Sequence, residues 1–126
     1  MSSEHWTWRI TRGEATTVAA ARHALARMLR LGAHGNDNVD VAVQILGELI
    51  ANACEHGRVP IDIALRRHGR RYELEVADSG SDIARPNAKH APDSLRGRGF
   101  EIIEGLGGII AITARPRSTV RVTLPF

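Results

Sequence analysis

Apolar and polar residues alternate from His5 to Ile10, with Trp6, Trp8 and Ile10 on one side, and a period of two predicts a first strand. The period then lengthens. Val18, Ala21, Leu25, Met28 and Leu29 recur at helical spacing. They predict a helix capped by Thr16 or Thr17, running to about Leu31 and stopped by Gly32. After the polar turn His34–Asn38, a second stripe (Val39, Ala42, Val43, Leu46, Leu49, Ile50, Ala53) predicts a helix from about Asn38 to Glu55, ended by Gly57. Residues 61–77 return to alternation. A two-residue turn at His68-Gly69 would set Leu65 opposite Tyr72, Ile63 opposite Leu74 and Ile61 opposite Val76. Asp62, Glu73 and Glu75 then fall on the other face. Residues 79–98 are rich in Gly, Ser and charge, include Pro86 and Pro92, and read as a long loop. Loops of that length inside a domain are usually functional or disordered. A short third helix starts near Gly99 and fades over Gly105–Gly108. Ile109–Ala114 and Thr119–Leu124 predict a closing hairpin, with Ile110, Ile112 and Ala114 on one face and Val120, Val122 and Leu124 on another.

Strands and helices do not alternate regularly, which argues against a doubly wound parallel sheet. The order predicts an α+β fold, a two-layer sandwich. Its mixed, mostly antiparallel sheet would be covered on one face by three helices. With 126 residues, no repeats and no dividing linker, residues 1–126 read as a single domain. The apolar runs are too short to span a bilayer, and Ser2-Ser3-Glu4-His5 is unlike a signal peptide, so a cytoplasmic protein is expected. The one cysteine, Cys54, has no internal disulfide partner and is expected to be a small buried residue. A net charge of +3 and a pI near 10 raise the question of nucleic acid. The distribution answers against direct binding. The arginines are scattered apart from Arg66, Arg67, Arg70 and Arg71 around a turn, and few aromatics interleave with them for base stacking.

Three stretches carry candidate chemistry. Glu48, Asn52 and His56 are four apart and form a polar row along the second helix, beside its apolar stripe. At about 100° per residue the row spans an arc of about 80°. A carboxylate, a carboxamide and an imidazole there can line a pocket, or can simply be a solvated face. Asp78-Ser79-Gly80 ends a strand, where a carboxylate can face a ligand and a glycine lets backbone approach it; the same residues also make ordinary turns. Gly97-Arg98-Gly99-Phe100 enters a helix. A helix N-terminus offers backbone N–H groups and a favourable dipole to an anion, and Arg98 could add a charge-assisted contact to phosphate. Glycines at such an entry also just turn the chain.

The order of the three is more specific than any one of them. A helix with Glu-x-x-x-Asn, a strand ending Asp-x-Gly, and a loop ending Gly-x-Gly before a helix together resemble the GHKL ATPases. These include gyrase, heat-shock chaperone, histidine kinase and mismatch-repair ATPases. The likeness spans about residues 6 to 125. The small size and the wording Glu-Leu-x-x-Asn-Ala-x-x-His-Gly are most similar to the bacterial anti-sigma-factor serine/threonine kinases. Histidine kinases need a separate phosphoacceptor helix pair, and the surroundings of His23 are unlike a phosphoacceptor box.

The resemblance implies roles. Glu48 would be the general base and Asn52 would hold Mg²⁺ against the phosphates of ATP. Asp78 would accept a hydrogen bond from the adenine amino group, with Gly80 letting the base lie on the backbone. Gly97, Arg98 and Gly99 would sit by the phosphates. His56 would shape the pocket, Thr119 would support the adenine site with Ser118 replacing a family glycine, and residues 81–96 would be the ATP lid. The implied partners are a sigma factor, an anti-anti-sigma protein as phosphoacceptor, and a second copy in a homodimer. Trp6 and Trp8 suit either a pairing edge or a covered sheet face. One departure stands out: where the superfamily has Asp-x-Gly-x-Gly, this chain has Asp82 at the last position. Two readings follow, an anti-sigma kinase using Mg-ATP, and a partner-switching module of the same fold with weak or no nucleotide binding.

Overall fold

In the computed structural model of the protein, residues 5–11, 15–32, 34–56, 59–79, 97–113 and 117–126 are described. The expected lid at about 81–96, with Asp82, lies outside them, as do Gly57, Gly80 and Ala114. The strands are β1 (His5–Ile10), β2 (Ile61–His68), β3 (Arg71–Asp78), β4 (Ile109–Thr113) and β5 (Ser118–Thr123). The helices are α1 (Ala15–Leu31), α2 (Asn36–His56) and α3 (Gly97–Gly105). The strands form one sheet in the order β1-β2-β3-β5-β4, and every pairing is antiparallel. The helices pack on one face of it, the α+β sandwich that the element order predicts.

Alternation decides which residues meet. Trp8 and Ile10 of β1, Ile61, Ile63 and Leu65 of β2, Leu74 and Val76 of β3, and Val120 and Val122 of β5 point to the helices. Leu25 and Leu29 of α1, Val39, Ala42, Ile45, Leu46, Leu49, Ile50 and Ala53 of α2, and Phe100 and Ile103 of α3 close over them. The α2 stripe is as expected with Ile45 added, and Val43 only half buried. β1 is an edge strand, and its Trp6 and Trp8, stacked at 6.1 Å, also lie partly covered on the helical side.

Two expectations need correction. The β2–β3 turn is Gly69-Arg70, so Leu65 pairs with Leu74 and Ile63 with Val76, two positions from the expected register. Both registers match apolar with apolar, because a slip of two keeps each side chain on its face. Turn chemistry decides between them: Gly69, at φ 65°, occupies the first central position, where primed hairpin turns need a positive φ. Cys54 is exposed, not buried. Ala53 takes the core position, and one residue further the helix has turned about 100° away. The partial burial that Cys54 keeps pushes its thiol pKa up, which disfavours the nucleophilic thiolate.

The far end of the sheet is tied by aromatics. His34, just after α1, shares a 2.8 Å hydrogen bond with the Tyr72 hydroxyl, and both rings contact Phe126. The outer sheet face carries ion pairs: Arg66 and Arg121 both reach Glu75, and Arg121 also meets Glu73. Among the described residues no helix is long and apolar enough to cross a membrane.

Candidate functional site

The site lies at the end of the sheet opposite the aromatic cluster. Tyr72 and Asp78 are six residues apart on β3, about 20 Å along an extended strand. α2 lies on β3 and touches α3, so its C-terminal half brings the polar row to this end. Glu48 and Asn52 are half buried, one turn apart, at the margin of the core stripe made by Leu49 and Ala53. His56 ends the helix, and its side chain lies outside the described residues.

α3 meets α2 through a glycine. A Cβ placed on Gly99 would lie 3.4 Å from Glu48 Oε1 and 3.9 Å from Glu48 Cβ. These are ordinary contact distances, and they place the Glu48 carboxylate against the first turn of α3. That turn, entered through Gly97 and Arg98, presents the backbone N–H groups that helical bonding leaves unmatched. The side chain of Arg98 lies outside the described residues. A half-buried carboxylate thus stands beside an anion-favouring helix end.

Asp78 is the last residue of β3 and is only 2% exposed. Its strand partner is Ser118, fully buried, with an Oγ that has no hydrogen-bond partner. An orphaned hydroxyl beside a buried carboxylate fits a polar ligand that takes up the unused bond. Thr119 does not belong here. It pairs with Ala77 on the outer sheet face, and its hydroxyl donates to the Arg117 carbonyl at 3.1 Å. The expectation that the Thr119 hydroxyl stands at this end of β3 beside Asp78 is corrected: the hydroxyl there is that of Ser118. Strand parity carried that signal, since Ser118, Val120 and Val122 alternate on one face.

A family model described as a histidine kinase-like ATPase domain matches residues 11–124. The chain belongs to the histidine kinase-like ATPase domain family. No curated protein matches it. This places the protein in the GHKL-type superfamily, and membership implies ATP binding with ATPase- or kinase-type chemistry. The geometry of this ATPase domain fits such a ligand at both ends: an orphaned Ser118 hydroxyl next to Asp78, and a side-chain-free approach of Gly99 to Glu48. For the cation, the described residues contain no cluster of three or more His, Cys, Asp or Glu side chains. Asn52, half buried on α2 one turn from Glu48, has a carboxamide oxygen of the hard kind that Mg²⁺ accepts, and such an ion commonly completes its shell with phosphate oxygens and water.

Proposed function

We propose that this ATPase domain is an anti-sigma factor with serine/threonine kinase activity. It would bind a sigma factor and phosphorylate an anti-anti-sigma partner, working as a homodimer. The observation that carries the catalytic part is the contact between Glu48 and Gly99, which sets a carboxylate at a phosphate-favouring helix end. Bound Mg-ATP would supply the phosphoryl group, whose bond to ADP breaks as the acceptor oxygen bonds the phosphorus. Glu48 would take the acceptor hydroxyl's proton, for which it must come within hydrogen-bond reach. Asn52, one turn on, would orient the cation; Asp78 and Ser118 would hold the base. Phosphoryl transfer depends mostly on such positioning and on charge neutralisation, with little covalent work for the protein.

The test uses γ-labelled Mg-ATP and candidate anti-anti-sigma proteins. Label should appear on serine or threonine of the acceptor. Glu48→Ala should lose the transfer while nucleotide and sigma-factor binding remain, and transfer that persists in this variant removes Glu48 as the base. One feature favours a second reading, a partner-switching module without nucleotide: Asp82 stands where the superfamily motif has glycine. Partner affinity that is the same with and without Mg-ATP would select that reading.

A further inference from the structure

The ladder between β2 and β3 stops short of the site. Its last pair is Asp62 with Ala77, so Asp78 has a strand partner only on the β5 side. The gap is filled by a side chain. Arg117 lies just before β5, and its Nε donates to the Asp78 carbonyl at 3.2 Å. Its Nη2 donates to the carbonyls of Pro60 at 3.1 Å and Ala77 at 3.2 Å, and approaches Ser79 Oγ at 3.4 Å. Its Nη1 is paired with Asp62. Asp62 is gripped from its other side by Arg9, at 2.7 Å and 3.1 Å. Ser79 Oγ closes the cage by donating to the Pro60 carbonyl. All three guanidinium nitrogens are therefore committed to one cluster of acceptors behind Asp78.

We infer that Arg117 is a positioning residue of the nucleotide site, holding the end of β3 so that the Asp78 carboxylate meets the 6-amino group of adenine. The inference rests on the reading of Asp78 as the adenine acceptor. A strand end laddered to a neighbour on one side only can shift and twist. A recognition carboxylate must be held to within about half an ångström to be selective. The rigid fork of arginine bonds carbonyls from two segments at once while pairing with a carboxylate, a fixed spread of donors that the compact ammonium of lysine lacks.

Calorimetric titrations test this with Mg-ATP and with the Mg-triphosphate of purine riboside, which lacks only the 6-amino group. Wild-type protein should prefer ATP by about ten- to hundredfold, the weight of a hydrogen bond to a charged acceptor. In Arg117→Met the preference should fall to about threefold or less, while the affinity for the purine riboside compound changes by less than about twofold. Arg117→Lys, chosen to fold even where the methionine variant does not, should retain only part of the preference. Full preference in either variant overturns the inference. Equal weakening of both nucleotides also overturns it, because a general structural role has that effect. A wild-type protein that binds both compounds alike removes the adenine reading of Asp78 itself, and the role of Arg117 falls with it.

Discussion

At the scale of single residues, the site is marked by atoms that the fold leaves without employment. The Ser118 hydroxyl is buried and unpartnered, a state that costs about 1–3 kcal/mol when nothing offsets it. Ser118→Ala should therefore leave the melting temperature unchanged or raise it. The same variant should weaken Mg-ATP binding by about two- to tenfold, the worth of one ordinary hydrogen bond. Thermal unfolding and calorimetry on one preparation check both halves. Gly99 is the residue of α3 that adjoins Glu48. In Gly99→Ala the new methyl would lie 3.4 Å from Glu48 Oε1, in ordinary contact, and would cover part of the carboxylate without disturbing the fold. Phosphoryl transfer should slow more than nucleotide affinity falls, as single-turnover rates beside binding constants would reveal.

At the scale of elements, hydrophobic period was a good guide to type and face, and a poor one to register. α1, α2 and β1 read almost directly from spacing, because each buries one continuous stripe. The β2–β3 hairpin did not, because Ile61, Ile63, Leu65, Leu74 and Val76 match equally well in two registers. The positive φ of Gly69 selects the observed one, so Gly69→Ala should destabilise the domain by about 1–2 kcal/mol, measured by denaturant unfolding. Leu46 lies in the middle of α2 and is fully buried. Leu46→Ala should cost about 2–5 kcal/mol in the same measurement. Because Glu48 and Asn52 ride on that helix, nucleotide binding should be lost in parallel with the fold, at lower denaturant than in wild type.

At the scale of the molecule, the outer sheet face answers to pH. Asp62 is held below the usual carboxylate range, first by its hydrogen bonds to Arg9, against the opposing effect of burial, and then by Arg117. Arg9 moves in the matching direction, raised by the same pair. A carboxylate with a depressed folded pKa adds stability that is fully present above its unfolded pKa, about 4. That stability disappears as pH falls through the lower folded value. Melting temperatures followed downwards from about pH 5 should therefore fall less steeply in Asp62→Asn than in wild type. An identical slope in the two proteins would remove Asp62 from the acid response. The Arg9 side of this pair is largely solvent-exposed, so added salt should also shrink the difference.

The sequence alone determined the elements, their apolar faces, the α+β class and the residues able to do chemistry. These depend on local period, on turn and cap residues and on motif order, all of which are written along the chain. Glu48, Asn52, Asp78 and Gly99 stood out for that reason. Only the tertiary structure decided which of these residues meet. The contact of Glu48 with Gly99 joins helices whose sequence positions are some fifty residues apart. The pairing of Asp78 with Ser118, the displacement of Thr119 to the outer face, and the grip of Arg117 on three carbonyls depend on β5 lying beside β3. Strand order is set by how the whole core closes, and no local pattern encodes it.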